Sequence, residues 1–128
     1  MAICLNLPMP PPVNGLYANV PGKGRVKTKR YKTWIKAAND AFLIQKREQQ
    51  RIDGRFIAHI VLDENKWAGD ADNRAKAVLD RLVSCNLVDD DRHCRRVTTE
   101  WGKIEIDVEH VPSDCRVYAW AEQGEPMR

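Results

Sequence analysis

The side chains with the most chemistry to offer are carboxylates. Gly69-Asp70-Ala71-Asp72-Asn73-Arg74-Ala75-Lys76 is followed by Asp80 and then by Asp89-Asp90-Asp91. Two carboxylates at i and i+2, in a loop entering a helix, can aim at one point, which is how hard cations are usually held. Asp72, Lys76 and Asp80 stand four apart, so on a helix they form one row, each offset by about 40° from the last and bordering the apolar stripe. Half-sheltered carboxylates beside a lysine are suited to catalysis. Three or four of them around one point would raise their own pKa values unless Mg²⁺, Mn²⁺ or a basic residue compensates, and a divalent ion is the economical solution. A helix of about 14 residues and a short loop leave the chain about 20 Å from its start. Asp89 to Asp91 therefore reach Asp70 and Asp72 only if the next segment doubles back beside the helix.

The same residues admit a plainer reading. Asp70 and Asp72 could cap the helix, Asp72, Lys76 and Asp80 could be i,i+4 ion pairs of a few tenths of a kcal/mol each, and Asp89 to Asp91 a solvated turn. A calcium EF-hand is excluded, because Arg74, Ala75 and Arg81 stand at the fifth, sixth and twelfth loop positions, where it needs an oxygen ligand, a glycine and a bidentate glutamate. Cys4, Cys85, Cys94 and Cys115 are 81, 9 and 21 residues apart, which is neither a disulfide framework nor zinc-ligand spacing. His93 beside Cys94 is the one pairing that hints at a metal, but neighbouring side chains diverge, so reduced structural thiols are expected.

The elements that must carry these groups are legible in outline. Ala2 to Leu7 reads as a first strand, ended by four prolines between Pro8 and Pro12 that force the chain out of the sheet. Residues 13–30, rich in Gly, Asn and Lys, read as a long loop. From Tyr31 to about Gln50, Tyr31, Trp34, Ile35, Ala38, Ala41, Phe42 and Gln45 keep helical spacing. Phe56 to Leu62 is a central strand. A second helix carries Ala75, Val78, Leu79, Leu82 and Val83 on its apolar side, with Asp72 as its expected N-cap and its end near Asn86. Val97 to Trp101 and Ile104 to Val108 suggest a hairpin through Gly102-Lys103, Tyr118 to Trp120 an edge strand, and 123–128 a frayed tail. The expected architecture is a mixed α/β fold, a small mixed sheet with two helices packed on it.

With 128 residues and 43% apolar side chains, the chain is one domain that buries roughly 65–70% of its unfolded surface without disulfides or a structural metal. No apolar run approaches the ~18–20 residues of a membrane span, and no secretory signal opens the chain, so a soluble cytoplasmic protein is expected. The net charge of +3 hides a division. Residues 1–62 carry 11 basic and 3 acidic groups, a net +8, whereas 63–128 carry 10 and 15, a net −5. Lys23, Arg25, Lys27, Lys29, Arg30 and Lys32 fall within ten residues, interleaved with Gly22 and Gly24 and followed by Tyr31 and Trp34. Such a cluster suits a phosphate backbone, or is a solvated loop that aids solubility.

D-x-D-N-x-x-K-x-x-x-D from Asp70 to Asp80, with Asp90-Asp91 ten and eleven residues later, resembles the RusA family of Holliday junction resolvases. Leu7-Pro8-Met9-Pro10-Pro11-Pro12-Val13-Asn14 resembles that family's opening, L-P-x-P-P-x-x-N, and the similar length extends the resemblance over nearly the whole chain. The resemblance implies a RusA-like fold, with Asp70, Asp72 and Asp91 as the essential carboxylates that bind Mg²⁺ and Lys76 as a further residue required for cleavage. Asp90, matching a motif position beside the metal set, and Asn14, Asn73 and Asp80 take supporting roles. Asp89 departs from the pattern, where an apolar residue is commoner, and leaves open which member of Asp89-Asp90-Asp91 points at the metal. The implied activity is paired, symmetric nicking of four-way and related branched DNA by a homodimer, one active site on each of two equivalent strands. In that scheme the basic cluster at 23–32 holds the substrate backbone. A rival is a non-catalytic nucleic-acid-binding protein whose acidic cluster is structural. An enzyme acting on nucleotides ranks last, since the chain has neither G-x-x-x-x-G-K-[ST] nor G-x-G-x-x-G.

Overall fold

A computed structural model describes residues 2–122; the expected tail at 123–128 lies outside them. Strand β1 spans Ile3–Leu7, β2 Tyr17–Val20, β3 Gly24–Lys27, β4 Phe56–Asp63, β5 Cys94–Gly102 and β6 Cys115–Ala121; helix α1 spans Lys29–Gln45 and α2 Ala75–Ser84. Phe56, Ala58, Ile60 and Leu62 alternate inward along β4, and Cys115, Val117 and Ala119 do so along β6. The four-stranded sheet runs β1-β6-β4-β5, antiparallel except for the parallel pair β4 and β5. The inward side chains of the sheet and the apolar stripes of both helices form one core. This is the expected mixed architecture. Among the described residues no helix is long and apolar enough to cross a membrane.

Three local expectations need correction. Residues 13–30 are not a loop: a 3₁₀ turn at Val13–Gly15 leads into a β2–β3 ribbon, and α1 begins at Lys29. Gly22 and Gly24, at φ +80° and +76°, let so short a ribbon reverse, and Thr28 caps α1 by accepting from the Tyr31 amide at 3.1 Å. The hairpin across Gly102-Lys103 does not form. Gly102 lacks the positive φ that a two-residue turn needs, β5 pairs in parallel with β4, and the following segment is drawn to the far edge, where Asn6 Nδ2 donates to the Ile106 carbonyl at 2.7 Å. The expected edge strand at Tyr118–Trp120 is part of β6, an interior strand between β1 and β4.

The free edge of β1 is closed by side chains. Gln45 Oε1 accepts from the Asn6 amide and Gln45 Nε2 donates to the Asn6 carbonyl, both at 2.8 Å, and Gln49 treats Cys4 the same way at 2.8 and 3.0 Å. Two glutamine amides thus imitate a neighbouring strand. Gln45→Leu is expected to lower stability by about 2 kcal/mol, because it strips partners from two buried main-chain groups; chemical denaturation of both proteins measures it. The cysteines are unpaired, as expected, and burial pushes the thiols of Cys85, Cys94 and Cys115 up.

Candidate functional site

A parallel pair such as β4 and β5 needs a crossover, and α2 supplies it. The loop after β4 delivers Asp70 and Asp72 to the start of the crossover. At its other end Asn86 adopts φ 61°, and the amides of Leu87 and Val88 both donate to the Leu82 carbonyl, at 2.9 and 3.4 Å. The chain turns back along the helix, the condition under which the second acidic run could reach the first.

That return sorts the three consecutive aspartates. Asp89 leaves the site: it accepts from the Gly54 amide at 3.1 Å and pairs with Arg51. Asp90 accepts from the Arg92 amide at 3.0 Å, opening a 3₁₀ turn at Asp91–His93, and this bond holds its carboxyl below the usual range. Asp91 meets Lys76, with Nζ to Oδ2 at 3.1 Å. The same ammonium lies 3.1 Å from Asp80 Oδ1, and Asp80 Oδ2 accepts from the Tyr31 hydroxyl at 3.5 Å. A row Tyr31, Asp80, Lys76, Asp91 thus joins α1, α2 and the returning segment. Burial, then the Asp80 charge, pushes the Tyr31 hydroxyl up to about 12. Bonds to Asp80 and then to Asp91 raise Lys76, so it is an ammonium at neutral pH and cannot serve there as a base.

A cleft of about 350 Å³ opens here. Lys76, Asp80, Asp90 and Asp91 line it together with Tyr17 and Lys27 of the ribbon. Asp70 and Asp72 are exposed and lie outside that lining. Asp72 is not the N-cap of α2; it opens a 3₁₀ turn at Asp72–Arg74, with no side-chain capping bond. The tighter winding, three residues per turn, moves it off the row that Lys76 and Asp80 share. Of the basic cluster, Lys23 sits at the ribbon's turn, Arg25 and Lys27 on β3, and Lys29, Arg30 and Lys32 in the first turn of α1, all exposed. The first turn of α1 itself carries no acidic residue, and the positive end of the helix dipole adds to the charge of Lys29, Arg30 and Lys32. Asn14 lies beside the ribbon, in a cleft shared with Asn19 and Arg25. Asn73 keeps Oδ1 buried without a protein partner.

Carboxylate oxygens are the donors that magnesium takes, and Asp70, Asp72, Asp90 and Asp91 supply them. In kind the set fits. In placement, no three acidic, histidine or cysteine side chains among the described residues stand close enough to share an ion, and the charges of Asp80 and Asp91 face an ammonium instead.

Two contributors escaped the sequence reading. Tyr31 was legible as a core aromatic and as a flank of the basic cluster, not as a partner of the acidic row, which its hydroxyl reaches from a residue that is 1% exposed. Arg74 lies 8% exposed and donates from Nη1 to the Pro10 carbonyl at 2.6 Å and from Nη2 to the Ala68 carbonyl at 3.0 Å. The signal was its place four residues before Val78 and eight before Leu82, both buried. No protein-family model matches the chain and no curated protein does, which leaves the side chains to carry the functional reading.

Proposed function

We propose that the protein is a Mg²⁺-dependent, structure-specific endodeoxyribonuclease that resolves four-way DNA junctions by paired nicks and works as a homodimer. The observation that supports this most is the meeting of Lys76 with Asp91, fifteen residues away, in a cleft that also holds Lys27 of the basic ribbon. The resemblance of Asp70 to Asp91 to the RusA motif points the same way. That resemblance, and not the spacing of the carboxylates here, names Asp70, Asp72 and Asp91, with Asp90 beside them, as the residues that would hold the ion. When bound, magnesium supplies a water of lowered pKa and neutralises charge on the phosphodiester. Lys76, kept protonated by its two aspartates, offsets the negative charge that grows as the phosphodiester is attacked. The ribbon and the N-terminus of α1 hold the DNA backbone and counter the repulsion between DNA and the carboxylates.

A second reading, a DNA-binding protein without catalysis, is favoured by the lysine that already pairs with both Asp80 and Asp91. One assay separates the two. Wild type with a labelled four-way junction is expected to leave nicks in two opposing strands with Mg²⁺ and none without it, and Asp72→Asn is expected to bind the junction and leave it intact. Gel retardation with no nicks under Mg²⁺ or Mn²⁺ would give the case to the second reading.

A further inference from the structure

Among the described residues, the β2–β3 ribbon pairs only within itself and stands apart from the main sheet. Its register sets Tyr17 opposite Lys27 and Asn19 opposite Arg25. Strand alternation puts these four side chains on one face and Ala18, Val20 and Val26 on the other. Arg25 lies over the Tyr17 ring, 4.4 Å from its centroid, and Tyr31 meets Tyr17 edge-on at 5.8 Å. Tyr17 and Lys27 line the cleft of Lys76 and Asp91, while Tyr17, Asn19 and Arg25 line a second cleft of about 270 Å³. Tyr17 belongs to both, so the clefts adjoin at this residue. A single polar face leads from the carboxylates out along the ribbon.

The order of groups along that face matches one kind of ligand. A planar ring with a guanidinium on it offers a stacking surface, an ammonium opposite the ring across the ribbon offers a counter-charge, and an amide offers both donor and acceptor. A nucleic-acid strand repeats base and phosphate in the same alternation. A base can stack on a side chain only when it is out of its duplex. An acidic peptide would use the two cations and leave the ring without a role.

We propose that the polar face of the ribbon is a track for an unpaired nucleic-acid strand, with one base stacked on the Tyr17 and Arg25 pair and the adjoining phosphate at Lys27, leading into the cleft of Lys76 and Asp91. This rests on the nuclease reading for its purpose but not for its test.

The test measures binding by the full chain, without divalent ions, to a fluorescent single-stranded DNA of about twelve nucleotides and to a blunt duplex of the same length. Tyr17→Ala is expected to weaken single-strand binding about tenfold and duplex binding less than about twofold, and Tyr17→Phe, which keeps the ring, to bind as wild type. Lys36→Ala, an exposed basic residue away from the face, should change neither. If Tyr17→Ala fails to fold, Arg25→Ala replaces it, with the same preferential loss for the single strand. Equal losses on both DNAs, or none, overturn the track even where wild type nicks junctions normally. Wild type that binds single strands with this Tyr17 dependence yet never nicks a junction keeps the track and loses the nuclease. Failure of wild type to bind the single strand overturns the track and leaves the nuclease to the junction assay.

Discussion

Asp91→Asn is expected to slow junction nicking by about 10²–10³-fold, while Asp89→Asn keeps the rate within about twofold of wild type, although the two residues are nearly adjacent and chemically identical. The structure separates them by what each carboxylate faces. Asp91 meets the Lys76 ammonium inside the cleft, so the amide loses a charge that positions the lysine and a donor that a divalent ion needs. Asp89 is turned to Arg51 and to the Gly54 amide, on the strut that joins the segment before β4 to the returning chain. Its replacement costs about 1 kcal/mol of stability instead, a modest figure because the pair is partly exposed. Single-turnover nicking rates and thermal melts of both variants check this. Equal rate losses in the two would mean that the acidic run presents itself to DNA otherwise than through Asp91.

The pH behaviour of Lys76 follows from the same contacts. Its pKa is raised in the folded protein, chiefly by Asp80 and next by Asp91, so the favourable pairing is fully present below the unfolded value of 10.5. It is lost only as pH rises through the folded value. Across the neutral range the ammonium is constant, and a rate that climbs with pH there reports some group other than Lys76. Tyr31, held protonated up to about 12, is equally silent in that range and remains a donor to Asp80.

What could be read in advance divides along physical lines. The periodicity from Tyr31 to Gln45 located α1, because every position it marked faces the core at least in part. The apolar run at Phe56 located β4 for the same reason. Both signals are local. The ribbon stayed hidden because Tyr17 to Lys27 is short and largely exposed, so alternation leaves no apolar imprint, and its turn depends on two glycine backbones. β6 was half seen: Tyr118 and Trp120 drew attention, whereas the small inward residues Cys115, Val117 and Ala119 make it interior. Of the site, the lysine row was legible as far as α2 is regular. Lys76 and Asp80 pair as spacing dictates, and Asp72 does not join them because the chain starts the turn in 3₁₀ form. The reach of Asp91 back to Lys76 depended on one asparagine in the left-handed region and one carbonyl taking two amides, a non-periodic event that no pattern announces.

Arg74 gives the second large effect. It is a nearly buried guanidinium whose terminal nitrogens both end on main-chain carbonyls, with its Cζ 5.8 Å from the centre of the Trp101 ring. Burial, then the charge of Arg30, lowers its pKa, so the fold holds this cation against a desolvation cost. In return it ties Pro10, in a segment too rich in proline to donate hydrogen bonds of its own, to Ala68, two residues before Asp70. Trp34 ties the same segment to α1 through Pro8, with Nε1 to carbonyl at 3.0 Å. Arg74→Met keeps the apolar stem and leaves the Pro10 and Ala68 carbonyls without their donors. About 2 kcal/mol should be lost, after allowing for the relieved desolvation, with a melting temperature lower by about 8 °C. Arg74→Lys, which presents a point charge instead of a fork, can serve one carbonyl but not both, and should fall between wild type and Arg74→Met. Nicking should drop in the same order although Arg74 does not line the cleft, because the loop that carries Asp70 and Asp72 loses its anchor. Scanning calorimetry of the three proteins decides it: an Arg74→Met protein that melts within about 2 °C of wild type would show that the proline segment and the acidic loop are held by something else.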